Sequence, residues 1–261
     1  MRKYLIAAVV AVVAMLVPAV ANAQVQSLVV DVSPTKLDKK KFKPATIFVD
    51  VITDNNDEAG QNPDQPPSAD RTQVDFSPNM KFTPSAVPQC DVPASALNNT
   101  NTETATDLCG KDSIVSVPGE GKTEATVLID PNPLVNGETP VPIDVVVTAF
   151  NGFEKDSLYL HARADAVNNT SVLPGKLKKG PSGFGRTLDV TIPDLLAGAI
   201  SDFKTTVKAG KYVQARCKDK TPTFQARTDY ENHSSTTATA DDPCKQKKKK
   251  KKKKKGGKGK K

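Results

Sequence analysis

The chain has 261 residues, with 37 lysines and arginines, 29 aspartates and glutamates, and a net charge of +8 at pH 7. It contains no tryptophan, two histidines and four cysteines. So few histidines leave little material for nucleophile–base catalysis or a histidine-rich metal site, and the lack of tryptophan disfavours a sugar-stacking surface.

Residues 1–23 have the three zones of a cleavable secretory signal peptide. Arg2 and Lys3 supply a basic start, an apolar stretch follows, and Ala21 to Ala23 offers the small residues that signal peptidase accepts. An uncleaved membrane anchor is the alternative, but the apolar stretch is near the lower length limit for crossing a bilayer. We therefore predict a mature protein that begins near Gln24 and is secreted or associated with the cell surface.

The charge is divided unevenly along the chain. Residues 245–261 contain 13 lysines and no acid. Removing these lysines and the two basic residues of the signal peptide from the total of +8 leaves −7 for residues 24–244. The mature protein is therefore predicted to be an acidic body followed by a cationic tail.

Short runs rich in Val, Ile, Thr and Phe recur through the body, separated by Pro, Gly, Asn and Asp, and this pattern is typical of an all-β domain. The dipeptide Asn151-Gly152 accepts positive φ and predicts a tight hairpin turn between two of these runs. About a dozen strands indicate a single β-sandwich of the jelly-roll or immunoglobulin-like type. The predicted strands cover 26–32, 45–53, 72–76, 113–117, 123–130, 141–150, 156–164, 186–192, 200–207, 211–218 and 223–231, with short helical turns at 93–97 and 103–108.

Residues 54–70 form a predicted acidic loop, because they contain five carboxylates, three prolines and no base. Asp54, Asn56 and Glu58 occupy alternate positions, as the first ligands of a calcium loop do. The glycine and the later glutamate that complete such a loop are absent. We therefore predict a solvated loop and keep these three residues as a weak calcium candidate.

Four cysteines in an exported chain predict two disulfides, for which three connectivities exist. The pairs Cys90 with Cys109 and Cys217 with Cys244 are favoured, because each brackets a turn-rich segment and short loops are the easiest to close. The first bridge would make residues 90–109 a clipped loop on the body. A metal site is the rival interpretation, but no C-x-x-C spacing supports it.

Candidate catalytic residues are scarce. His161 lies in an apolar run that is typical of a buried strand, and His233 lies in a short polar segment. No G-x-S-x-G, H-E-x-x-H or P-loop motif occurs. We predict no catalytic residue and no cofactor; an enzyme would need a cleft that gathers carboxylates around His161.

The lysine tail, residues 245–261, is predicted to be disordered, because like charges repel and nothing apolar is available to bury. Such a run binds polyanions by releasing their counterions. Anionic envelope polymers and lipid headgroups are the expected partners, non-specific nucleic acid is a further one, and a low-complexity end without function is the alternative. The candidate polyanion-binding residues are Lys245, Lys247, Lys248, Lys249, Lys250, Lys251, Lys252, Lys253, Lys254, Lys255, Lys258, Lys260 and Lys261.

Several segments carry a resemblance to known proteins. Residues 211–218 (KYVQARCK) and 223–230 (TFQARTDY), with residues 81–86 (KFTPSA), Cys90 and the Cys244-Lys245 ending, resemble a group of uncharacterised secreted bacterial proteins. Those proteins share a signal peptide, a β-rich body and a terminal cysteine followed by a lysine-rich end. The resemblance implies an exported β-rich protein and assigns no activity to it.

The sequence thus suggests a secreted, non-catalytic protein held electrostatically on anionic envelope polymers by its lysine tail. The alternative is an extracellular ligand-binding or adhesion module whose site lies on the body, with the tail incidental.

Overall fold

The computed structural model describes residues 24–55, 66–129, 139–193, 198–231 and 235–247. The predicted signal peptide and the tail beyond Lys247 lie outside these residues, and so does most of the predicted acidic loop. The described part of the chain contains one α-helix, α1 (Thr102–Cys109), and sixteen strands. The strands are β1 (Gln24–Ser33), β2 (Lys36–Leu37), β3 (Lys43–Pro44), β4 (Thr46–Asn55), β5 (Ala69–Phe76), β6 (Met80–Phe82), β7 (Glu124–Ile129), β8 (Val141–Asn151), β9 (Ser157–Ala164), β10 (Asn169–Lys179), β11 (Arg186–Thr191), β12 (Gly198–Val207), β13 (Val213–Ala215), β14 (Thr223–Tyr230), β15 (Thr236–Asp241) and β16 (Lys245–Gln246).

Eleven of these strands form one antiparallel sheet in the order β1-β4-β12-β7-β8-β9-β10-β11-β5-β14-β15. Its two edge strands, β1 and β15, lie next to each other. The Thr236 hydroxyl of β15 donates a hydrogen bond of 2.7 Å to Oε1 of Gln26 in β1. The sheet is therefore nearly closed on itself. The all-β prediction is confirmed, whereas the predicted sandwich of two separate sheets is not.

Alternation along the strands explains why the sheet curls around a core. In β4, Ile47, Val49 and Val51 are buried, while Ile52 on the opposite face is exposed. A strand with period two places one set of side chains inside the closed sheet and the other set outside. The apolar set of each long strand therefore forms one shared interior.

The two ends of this interior differ. At the end that we call basal, a small sheet in the order β3-β13-β6 packs across the opening. Its Phe82 ring lies 4.6 Å from the ring of Phe76 in β5, and Tyr212 packs edge-on against Phe82 at 6.5 Å. We call the opposite end apical. There β4, β7 and β14 end and β12 begins.

A second, smaller core lies outside the sheet. The disulfide Cys90–Cys109 holds a segment that contains a 3-10 turn at Ala94–Leu97 and helix α1. Leu97 from this segment is fully buried with Phe150 and Val172 of the sheet. The predicted clipped loop and both predicted helical turns are confirmed.

The predicted hairpin, β8 with β9, is also confirmed, but Asn151 and Gly152 are not the residues that adopt positive φ in its turn. Asn151 is the buried last residue of β8, and its side-chain amide donates to three backbone carbonyls, among them that of Pro84 at 3.1 Å. Gly152 is needed for close approach, since a Cβ there would lie 2.3 Å from Oγ of Ser157. The positive φ falls instead on Asp156, at 58°.

Several other segments differ from the predicted strands. Residues 113–117 make only isolated bridges, and the strand predicted at 211–218 is reduced to β13. Strands β10 and β15 were not predicted, and neither were the short strands β2, β3, β6 and β16. In the described part of the chain, no helix has the length and apolar character needed to cross a bilayer.

Candidate polyanion-binding face

The segment between β1 and β4 displays a run of lysines at the basal end. Asp38 shapes it, because its Oδ1 accepts hydrogen bonds from the backbone N–H groups of Lys40 and Lys41 at 2.8 and 2.9 Å. The bonds from Lys41 and Lys40 lower the pKa of Asp38, so this carboxylate stays ionised at neutral pH. The turn leaves Lys39, Lys40 and Lys41 exposed to solvent.

The root of the lysine tail is fixed beside this turn. Strand β16 pairs in parallel with β2, so Lys245 lies opposite Lys36. The backbone N–H of Lys245 donates to the carbonyl of Thr35, and that of Lys247 donates to the carbonyl of Leu37, each at 2.8 Å. The boundary predicted after residue 244 therefore moves to Lys247, since Lys245 and Gln246 belong to the folded body.

The second predicted disulfide, Cys217–Cys244, ties a further lysine-bearing segment to the tail root, with 5.9 Å between the two Cα atoms. The backbone N–H of Cys217 donates to the carbonyl of Asp38, and that of Cys244 donates to the carbonyl of Lys220, each at 2.8 Å. The side chain of Gln246 donates to the carbonyl of Cys217 at 3.0 Å. The bridge and these hydrogen bonds thus join three segments that carry lysines.

Together these segments make a surface that we call the cationic face. Arg216 lies at its edge, with its guanidinium carbon 4.5 Å from the centre of the Phe42 ring. Within the described residues, none of the lysines of this face forms an ion pair. The face consists of the nine exposed lysines Lys36, Lys39, Lys40, Lys41, Lys43, Lys218, Lys220, Lys245 and Lys247.

A cleft of about 490 Å³ opens beside the cationic face. Phe42 lines it on one side, and Lys81, Lys155 and Arg186 add three cationic side chains. Asp156 lies 3.5 Å from Nη2 of Arg186 and offsets part of this charge. The cleft therefore extends the positive surface in the form of a groove.

Several cations elsewhere on the body are paired with carboxylates. Asp189 accepts two hydrogen bonds from Arg71, at 2.6 and 2.7 Å, and forms a second ion pair with Lys178. Lys204 pairs with Asp202 in the same way. Since residues 24–244 carry a net charge of −7, the cationic face is a local excess of positive charge on an acidic body.

The calcium candidate is only partly covered by the structure. Asp54 lies near the apical end of β4, opposite Val25, whereas Asn56 and Glu58 lie outside the described residues. Among the described residues, no group of three His, Cys, Asp or Glu side chains could hold a metal ion.

His161 is fully buried on the outer face of β9, beneath the clipped loop. Its Nε2 atom lies 3.1 Å from the hydroxyl and 3.2 Å from the carbonyl oxygen of Thr100. Burial lowers the pKa of His161, so the imidazole is neutral at physiological pH. Thr100 is thus the partner that the structure gives this histidine, and His233 lies outside the described residues.

A carboxyl pair that the sequence did not reveal lies on the outer face of β4 and β12. Burial, followed by a hydrogen bond with Asp202, raises the pKa of Asp50 to about 7. Glu124 of β7 lies 3.6 Å from Lys204, which also pairs with Asp202. The pair forms only through strand pairing, so no local sequence signal marks it.

The cationic face did have a sequence signal. Residues 36–43 read KLDKKKFK, a basic run that is visible without a structure. Its proximity to the tail root depends on the pairing of β2 with β16.

No family model, no curated protein and no solved structure matches this chain.

Proposed function

We propose that this is a secreted, non-catalytic protein that is retained at the cell envelope because its cationic face and lysine tail bind anionic polymers. The observation that carries the proposal is the convergence, at the root of the tail, of nine exposed lysines that have no ion-pair partner among the described residues. The predicted signal peptide supports export, and the two disulfides are compatible with an oxidising compartment.

The arrangement suits a polymeric anion better than a single small ion. A polyanion carries condensed counterions, and each lysine that neutralises a fixed charge releases some of them. The tail leaves from within the cationic face, so binding of one raises the effective concentration of the other at the same polymer. The neighbouring cleft, lined by Lys81, Lys155 and Arg186, offers a groove for a further segment.

Four forms of the mature chain test the proposal: the full form, one that ends at Lys247, one with Lys39, Lys40 and Lys41 changed to Gln, and one with both changes. The truncation stops after Lys247 because an earlier end would remove β16. Binding to soluble polyphosphate and to phosphatidylglycerol vesicles is measured over a salt series, with duplex DNA in a third arm.

We expect the affinity to fall in steps, with the doubly changed form weakest and least dependent on salt. A matched control changes Lys111, Lys122 and Lys179, which are exposed and lie outside the cationic face, and should bind almost as the full form does. Equal binding by all four forms would overturn the proposal. The relative affinities for polyphosphate, phosphatidylglycerol vesicles and duplex DNA show whether a soluble polymer, a lipid surface or a nucleic acid is preferred.

A further inference from the structure

The interior of the nearly closed sheet is not completely filled. It contains two adjoining cavities of about 90 and 230 Å³. Leu160, Leu173, Ile200 and Phe203 line both cavities and therefore form the partition between them. Protein interiors are normally packed as densely as organic crystals, with few voids larger than a water molecule. Cavities of this size are therefore candidates for a ligand-binding site.

The chemistry of the lining favours an apolar occupant. The side chains around both cavities are almost all Val, Ile, Leu, Ala and Phe, and among the described residues no charged side chain lines either one. An apolar cavity of about 150 Å³ stays dry and accepts benzene or xenon, because water finds no hydrogen-bond partners there. The larger cavity is therefore suited to a hydrocarbon.

The shape of the lining favours a long, narrow hydrocarbon. Along β8, Ile143, Val145 and Val147 line the larger cavity and Ala149 lines the smaller one. Six residues of extended strand span about 20 Å. The smaller cavity is lined by Thr53, Thr72 and Thr228 at one end and by Phe82 and Tyr212 at the other. It therefore runs along the strand direction through the interior, as a linear chain would, and the larger cavity adjoins its apical half.

The two ends of this path differ in polarity. At the basal end Phe82 and Tyr212 close it with aromatic rings. At the apical end, the hydroxyls of Thr72 and Thr228 lie 3.1 Å apart, and Thr53 accepts a 3.4 Å hydrogen bond from the Tyr230 hydroxyl. Hydroxyls at one end of an otherwise apolar path give a polar head group a place to bind.

An exposed apolar residue marks the same apical end. Val167, in the turn between β9 and β10, lines the larger cavity and is 47% exposed. The larger cavity therefore reaches the surface at the apical end, where the hydroxyls of the smaller cavity also lie, and aromatic rings close the opposite end.

We propose that the interior binds one unbranched acyl chain, with the hydrocarbon along the strand direction and the polar head at the apical hydroxyls. This inference goes beyond electrostatic retention on polyanions and does not depend on it, since the acyl path and the cationic face have different lining residues.

The first test measures binding of dodecanoic acid, dodecanol and a single-chain phosphatidylglycerol to the mature chain after bound lipid has been stripped off, by displacement of cis-parinaric acid. Saturable binding of both dodecyl compounds, with little dependence on salt, is expected. Dodecanol carries no charge, so its binding separates the cavity from attraction to the cationic face. The single-chain lipid distinguishes a free acid from a lipid as the natural source of the chain.

Neighbouring residues on β8 provide a matched pair of variants. Val145→Phe fills the larger cavity and should weaken binding at least tenfold, whereas Val146→Phe, at a 45% exposed position on the outer face, should leave it unchanged. Ala162→Leu adds fewer atoms to the same cavity and should also weaken binding. This variant replaces Val145→Phe as the test if Val145→Phe fails to fold. Absence of saturable binding to any of the three probes, or equal affinity in the inner and outer variants, would overturn the inference. The form with Lys39, Lys40 and Lys41 changed to Gln should keep full affinity for dodecanol even if polyanion binding is lost.

Discussion

The backbone N–H of Val32 donates a hydrogen bond of 3.0 Å to Oδ2 of Asp242, a residue 210 positions later in the chain. Val32 lies near the basal end of β1, and Asp242 directly follows β15. A carboxylate thus takes the place of a strand carbonyl between the two edges of the large sheet. At this point the closure depends on one side chain.

Changing Asp242 tests that dependence. Asp242→Ala leaves the buried N–H of Val32 without an acceptor and should lower the free energy of unfolding by about 1–3 kcal/mol. Asp242→Asn keeps an acceptor oxygen and removes the buried carboxylate, whose pKa is raised by burial. This substitution should therefore leave the free energy of unfolding at pH 7 unchanged or raise it. Urea denaturation measures both, and amide exchange at Val32 should accelerate only in the Ala variant. Equal stability of the two variants would show that the bond does not contribute to closure.

The carboxyl pair on β4 and β12 predicts a specific pH dependence. Because the pKa of Asp50 in the folded protein is about 7, above its ordinary value, the folded state holds a proton that the unfolded chain has already released. The contribution of Asp50 to stability is therefore largest at acidic pH and declines as the pH rises towards 7. Asp50→Asn mimics the protonated form and can donate to Asp202.

The gain in stability from Asp50→Asn should thus be larger at about pH 8 than at about pH 5, by roughly 1–2 kcal/mol. Thermal melting of the two proteins at both pH values measures it. A gain that is the same at both pH values would mean that Asp50 does not hold the extra proton.

Asp189 should affect the pH dependence of stability in the opposite direction. Hydrogen bonds from Arg71, followed by the contact with Lys178, lower its pKa, so its stabilising effect is present above the unfolded value and is lost as the pH falls below about 4. Asp189→Asn should cost about 1–3 kcal/mol at pH 7, because a buried charged partner is removed. The cost should shrink in acid.

A surface ion pair serves as the control for Asp189. Asp165 accepts a 2.8 Å bond from Arg163, but its side chain is 77% exposed. Asp165→Asn should therefore change the free energy of unfolding by less than about 1 kcal/mol. Similar losses for both substitutions would contradict the importance of burial at Asp189.

The features that sequence predicts well here depend on local patterns. Alternating apolar residues predict β4, in which Ile47, Val49 and Val51 are buried as expected. The local disulfides and the hairpin of β8 with β9 also need only short-range information.

Strand β10 was missed because its composition is that of a loop. Pro174 lacks a backbone N–H and normally belongs to edge strands, yet β10 lies inside the sheet. Gly175 faces the interior, where an added Cβ would lie 3.2 Å from Leu188. Tertiary pairing overrides the local preference at both positions.

The choice between a sandwich and a nearly closed sheet could not be made from local patterns at all. Both architectures have the same alternation, and they differ in whether the first and last strands meet. That contact joins residues about as far apart as Val32 and Asp242. For the same reason the lysines of residues 36–43 could be read from the sequence, but their position beside the tail root could not.

The two disulfides should have separable roles, which predicts the result of removing each. Cys90→Ser with Cys109→Ser releases the clipped loop that covers His161, whereas Cys217→Ser with Cys244→Ser releases the segment that holds the tail root in the cationic face. Each double change should lower stability by about 2–4 kcal/mol, since the bridged residues are 19 and 27 positions apart.

Only the second double change should weaken polyphosphate binding, and by several-fold, because it alone separates the tail from the cationic face and lowers their effective concentration at one polymer. Both variants keep every lysine, so net charge is matched. Binding is measured at a temperature where circular dichroism shows both to be folded. Equal weakening in the two variants would attribute the loss to general destabilisation, and no weakening in either would show that the tail and the face bind independently.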